Sequence, residues 1–157
     1  MQLVDDFAAM PRDGRWATCL AYLTEICAAL GDAPRAAILY ELLLPRAGRN
    51  LVLGNGSGCA GAVDRFLGLL ATTMARWSDA QRHFAEASAL NERTGALMPL
   101  AQTRHDLARM LLARGFPGDR ARAAELLQQV LATTTERGLV ALGRSADVLT
   151  RLARARA

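Results

Sequence analysis

Gly56-Ser57-Gly58-Cys59-Ala60-Gly61 spells G-x-G-x-x-G directly after the short apolar run Asn50-Leu51-Val52-Leu53. That pattern cradles a pyrophosphate when it links a strand to a helix. The same stretch holds two candidate nucleophiles. Ser57 lies between glycines, but a nucleophile elbow needs them two residues away on each side, where Asn55 and Cys59 stand. Cys59 with His83 or His105 makes a nucleophile and base only if the fold brings them together, and no spacing rule does so. His83 and Glu86 share a helix face and could hold a metal, yet two scattered histidines without H-E-x-x-H make a poor site. The expectation for His83 is a half-exposed surface residue. No catalytic, cofactor or metal residue is assigned, no cofactor is expected, and the chain is read as non-enzymatic.

Composition removes further chemistry. All 19 basic residues are arginine. Without lysine there is neither a complete P-loop nor a Schiff-base route to covalent catalysis. A net charge of +4 raises the question of nucleic acid. The arginines, however, are spread along the chain and often stand three or four residues from an acid, as in Asp79/Arg82, Asp106/Arg109 and Asp147/Arg151. This spacing belongs to solvated helix faces and does not point to nucleic acid. Cys19, Cys27 and Cys59 lack C-x-x-C spacing and read as free thiols in a reducing cytoplasm. Apolar residues make up 52 % of the chain, but no run approaches the roughly 20 needed to span a bilayer. The start of the chain lacks the basic-then-apolar pattern of a secretory signal. The expectation is a cytoplasmic protein without a membrane partner.

What would position any site is helical. Trp16, Cys19, Leu20, Leu23, Ile26, Cys27 and Leu30 keep helical spacing, Gly31 stops that helix, and Asp32 caps the next. Val63, Phe66, Leu67, Leu70 and Met74 form a later stripe, and Ser78-Asp79-Ala80-Gln81 has the pattern of a capping box. Asp119 reads as a further cap after the turn "GFPGDR". Trp16, Tyr40 and Trp77 are expected as core fillers. Superimposed on Ala36, Ala80 and Ala123, three segments each place a large residue four positions later: Tyr40, Phe84 and Leu127. The copies are 44 and 43 residues apart. A small residue lets two helices approach, and the large one fills the space beyond, which is the physics of stacked helix hairpins.

The segment "FLGLLATTMARWSDAQRHFAEASALNERTG" resembles a tetratricopeptide-type repeat, through Leu67-Gly68 in its first helix and Ala80, Phe84 and Ala87 in its second. Its period exceeds the family's usual ~34 residues, so the likeness is to a divergent member. The stretch from about Phe7 to Leu142 is further similar to the C-terminal helical-repeat region of bacterial LuxR-type and cyclase-linked signalling ATPases. The phrases "ALGDAPRAAILYELLLPRAGRN", "FLGLLATTMARWSDAQRHFAEA" and "TRHDLARMLLARGFPGDRARAAELL" carry it. The resemblance implies regulation or partner binding, with ATP hydrolysis and DNA binding left to other domains.

The predicted architecture is an all-α, tetratricopeptide-like right-handed solenoid in a single domain, with hairpins at about 15–45, 60–94 and 97–137 and a terminal helix at 139–154. Residues 46–60 then become a connector between hairpins, since "NLVL" has no evident strand to pair with and a dinucleotide fold needs a parallel sheet. A nucleotide held by the glycine-rich loop 54–61 stays as a third reading. The first reading is a protein-interaction or regulatory module, and the second a small-molecule sensor. A partner protein, or neighbouring domains of a larger chain, would meet the polar positions Gln102, Arg104, His105 and Arg109 of the fifth helix. Apolar residues near both ends predict a fragment of a longer protein or a homodimer.

Overall fold

The computed structural model describes Phe7, Asp13, and residues 15–53 and 58–154. Along the chain come α1 (Trp16–Leu30), α2 (Ala33–Leu43), a 3-10 turn (Leu44–Arg46), β1 (Asn50–Leu53), β2 (Gly58–Ala62), α3 (Val63–Thr73), α4 (Trp77–Arg93), α5 (Leu97–Arg114), α6 (Asp119–Arg137) and α7 (Val140–Arg154). The described chain is therefore mostly helical, with one small sheet. Internal contacts divide it into two compact units, with the boundary inside α4 between Ala87 and Ser88. Among the described residues no helix is long and apolar enough to cross a membrane.

In the first unit α3 is the central element, buried from Val63 to Ala71. Both α1 and α2 pack on it, and the Arg65 guanidinium on α3 reaches Glu25 of α1 at 2.8 Å. Asp32 caps α2 as its residue type predicts, accepting the Arg35 N–H at 3.0 Å. Gly68 lies flat against Phe84 of α4: a methyl group at Gly68 would stand 2.8 Å from the ring. The three small residues Ala36, Ala80 and Ala123, and the large Tyr40, Phe84 and Leu127, are all buried. In the second unit α6 packs on α5 and α7 on α6. The α5–α6 turn is clamped by Arg114, whose Nε and Nη2 donate to the two Asp119 oxygens at 2.9 and 2.7 Å.

Several expectations give way. "NLVL" does pair: β1 runs antiparallel to β2, with Val52 opposite Cys59 and Leu53 opposite Gly58. Residues 46–60 are thus not a plain connector and the chain is not wholly α. The partner strand Gly-Cys-Ala-Gly-Ala lacks the β-branched and aromatic residues by which strands announce themselves. Ile26 and Leu30 keep the helical period of α1 but are 55 % and 75 % exposed, because the buried side is set by Trp16, Leu20, Thr24 and Cys27. Ser78 does not precede α4 as a cap would, since the helix already begins at Trp77, and Asp79 pairs with Arg76 and Arg82. Asp119 is the first residue of α6 rather than its cap; its carboxylate accepts the Phe116 N–H, tightening the turn that precedes the helix.

Candidate functional site

Two histidines organise the polar interior, one in each unit. His83 is wholly buried, not half-exposed as expected, because the α4 face that carries it turns onto α2 and α3. Its Nδ1 lies 2.8 Å from Asp64 Oδ1 on α3, and its Nε2 lies 2.8 Å from the Tyr40 hydroxyl on α2. Arg82 Nη2 also approaches Nε2 at 3.3 Å. A guanidinium only donates, so Nε2 is an acceptor and the ring proton sits on Nδ1, directed at Asp64. The second Asp64 oxygen accepts the Gly48 N–H at 2.6 Å. Burial pushes the Asp64 carboxyl up, but the hydrogen bonds from His83 and Gly48 outweigh it and hold the group below its ordinary value of 3.8. Asp64 and Tyr40 are each 3 % exposed. The Arg76 guanidinium covers the Tyr40 ring at 4.7 Å. This relay ties α2, α3, α4 and the segment before β1 together through the buried side chains of Tyr40, Asp64 and His83.

The second relay has the same order of groups. His105 on α5 is buried; its Nδ1 faces Asp106 Oδ1 at 3.2 Å and its Nε2 meets Ser145 Oγ of α7 at 2.8 Å. A carboxylate only accepts, so the proton again sits on Nδ1 and Nε2 accepts from the hydroxyl. Arg109, one turn on, brings Nη1 to 4.0 Å from Asp106 Oδ1. Here the terminal hydroxyl belongs to an exposed residue.

The four predicted partner-contact residues do not share one open face. Only Arg109 is exposed. Gln102 and Arg104 are half-buried, and Arg104 is bound to Glu92 at 3.0 Å. His105 is withdrawn from a partner's reach because it is turned onto Ser145. Cys59 is exposed, and both nitrogens of His83 are engaged by Asp64 and Tyr40, so the two form no nucleophile-base pair. Glu86 is exposed while its helix neighbour His83 is sealed, so they offer no common metal face. Gly56 and Ser57 lie outside the described residues. Gly58 to Gly61 form part of the antiparallel ribbon, and Cys59 Sγ accepts the Gly61 N–H at 3.3 Å. Neither relay was visible in spacing. The one trace was Gly143-Arg144-Ser145, half of a G-x-S-x-G pattern, with Asp147 where the second glycine would stand.

Two surfaces complete the inventory of the second unit. The outward side of α7 carries Val140, Arg144, Val148 and Leu152, all exposed. An open groove of about 610 Å³ lies among Phe116, Pro117, Ala121, Ala124, Ala153 and the arginines Arg120 and Arg154. The chain matches no protein-family profile, no curated protein and no solved structure.

Proposed function

We propose that the chain is a protein-binding regulatory module of tetratricopeptide-like helical repeats, working in the cytoplasm within a larger bacterial signalling or transcription-regulating assembly. The observation that carries this reading is the outward face of α7. Val148 and Leu152, one turn apart, are each 56 % exposed, and Arg144 and Arg151 stand beside them. An exposed apolar strip edged by Arg144 and by the Arg151–Asp147 pair, with arginine in excess, marks a surface for a partner more than for water. The fitting occupant is an amphipathic helix with an acidic border, laid along α7 by its apolar side. The burial of His105 moves the proposed contact surface from α5 to α7 and leaves Arg109 as the α5 residue able to take part.

The test is an NMR titration of the isotope-labelled chain with a synthetic amphipathic helix of leucines flanked by glutamates. Amide shifts concentrated on α7, abolished in the Val148→Asp/Leu152→Asp double variant, are expected. Shifts scattered over the chain, or none at millimolar peptide, overturn the reading. Sedimentation of the free chain covers the remaining occupant: a dimer dispersed by the same double variant would assign this face to a second copy.

A second reading, a small-molecule sensor, is supported by the groove with Arg120 and Arg154, which suits an anion carrying an apolar body. A thermal-shift screen of metabolites tests it, since a ligand at 100 times its dissociation constant adds about 2.7 kcal/mol of stability.

A further inference from the structure

We propose that Ser145 is an activated hydroxyl that accepts an acyl group from a small activated ester or thioester, with His105 as its base and Asp106 as the residue that positions the base. The inference goes beyond partner binding and stands on separate residues. Three features carry it. Ser145 is an exposed residue and its bond to buried His105 is part-buried, so the hydroxyl end of the relay lies at the surface. Nε2 of His105 stands 2.8 Å from that oxygen with its lone pair turned to it, the separation a general base requires. Asp106 holds the imidazole by Nδ1 at 3.2 Å and so fixes the productive tautomer. A nucleophile, a base and an orienting acid in that order are recognised by geometry and role rather than by position in the chain. The sealed relay of the first unit sharpens the point: it has the same order of groups, but its hydroxyl is on buried Tyr40 and can meet no donor.

The step balances without a further reactant. Ser145 Oγ forms a bond to the carbonyl carbon while its proton passes to His105 Nε2. The carbonyl π pair moves to oxygen and returns as the bond to the leaving alkoxide or thiolate breaks. That leaving group takes the proton from Nε2, and the acyl group remains as a serine ester. Water, deprotonated by the same nitrogen, releases the acid and restores the hydroxyl.

The chain contains no lysine to take up acyl groups by side reaction, and the exposed thiol of Cys59, which would react with the ester, is removed by Cys59→Ser in the parent and in every variant. Purified protein is mixed with p-nitrophenyl acetate, p-nitrophenolate release is followed, and the tryptic peptides are weighed. Cleavage after Arg144 and Arg151 isolates residues 145–151, in which the other hydroxyl, Thr150, is buried and bonded to the Ala146 carbonyl. The expected result is a release burst of about one equivalent, with one acetyl group on residues 145–151. Both are lost in Ser145→Ala, a change at an exposed position, with the fold checked by circular dichroism. His105→Gln slows acylation by at least about 100-fold, the lower end of what a positioned base supplies. Asp106→Asn displaces the pH profile of acylation measured in the parent, which a purely structural aspartate would not do. No acetyl group on residues 145–151 above the Ser145→Ala background overturns the proposal, as does an unchanged rate in folded His105→Gln.

Discussion

The two histidine relays use the same three roles in the same order and differ in what stands at the end. In the first unit the chain of hydrogen bonds runs from Gly48 through Asp64 and His83 to Tyr40, and every side chain in it is buried. In the second it runs from Asp106 through His105 to Ser145, whose side is open to water. Burial makes the His83–Asp64 and His83–Tyr40 links of the first relay expensive to lose, because a severed partner there has no water to turn to. In the second, His105 and Asp106 are buried too, and only the last link, to exposed Ser145, is cheap to lose and available to chemistry. Identical hydrogen-bond logic therefore serves architecture in one place and reactivity in the other, and solvent access decides which.

The largest expected effect tests that division directly. Asp64→Ala removes the acceptor for the Gly48 N–H and for His83 Nδ1, leaving the His83 donor buried, and should cost about 3 kcal/mol. Asp106→Ala should cost less, about 1–2 kcal/mol, since Asp106, though buried, holds His105 at 3.2 Å where Asp64 holds His83 at 2.8 Å. Urea unfolding followed by circular dichroism measures both, and equal losses would dissolve the contrast.

Acid should separate the relays next. The folded Asp64 carboxyl ionises below its ordinary value of 3.8. A depressed carboxyl contributes stability that is present at neutral pH and is lost as pH falls through the folded value. Stability measured downward from neutrality should therefore decline, and Asp64→Asn, though less stable throughout, should show a shallower acid decline. Asp32, Asp79 and Asp119 are also held low, with backbone or arginine hydrogen bonds outweighing the desolvation, so the decline will shrink rather than vanish.

The hydroxyl ends give the smaller contrast. Tyr40→Phe removes the main donor to His83 Nε2 and should cost about 1.5 kcal/mol. Ser145→Ala should cost under about 0.5 kcal/mol, because water replaces its hydrogen bond. A thermal-melt comparison of the two variants settles the order.

How much of this could be read from sequence follows from what local spacing encodes. Ala36/Tyr40, Ala80/Phe84 and Ala123/Leu127 are small-to-large pairs within one helix, and helical periodicity is a local signal, so their burial was legible. The ribbon was not, because its second strand is built from glycine, alanine and cysteine, and pairing with Leu51-Val52 supplies what propensity does not. The relays were illegible for another reason. Tyr40 and His83 are 43 residues apart, and His105 and Ser145 are 40 apart. Which face of α4 or α5 turns inward decides whether either histidine meets its partner. His83 sits beside Phe84, the large residue of the repeat, and that adjacency was the available hint that it faces the core.

The smallest effect concerns the turns that bring the relays together. Each relay has a helix end of the same design before one of its members. After α6, Gly138 adopts φ +67°, and the Leu139 N–H returns to the Thr134 carbonyl at 3.0 Å. After α3, the Arg76 N–H returns to the Ala71 carbonyl at 2.8 Å, but the left-handed position is held by Ala75 at φ +55°. This hydrogen-bond pattern calls for glycine there. An alanine Cβ in that conformation costs about 1–2 kcal/mol, partly offset by the smaller entropy alanine loses on folding. Ala75→Gly should therefore stabilise the sealed relay's unit by about 0.5–1 kcal/mol. The reverse change, Gly138→Ala, meets open space within 4 Å and should destabilise by a similar amount through backbone strain alone. If both changes prove neutral in thermal melts, the two turns are equally relaxed. The units would then differ only in where their hydroxyls point, and solvent access alone would carry the contrast.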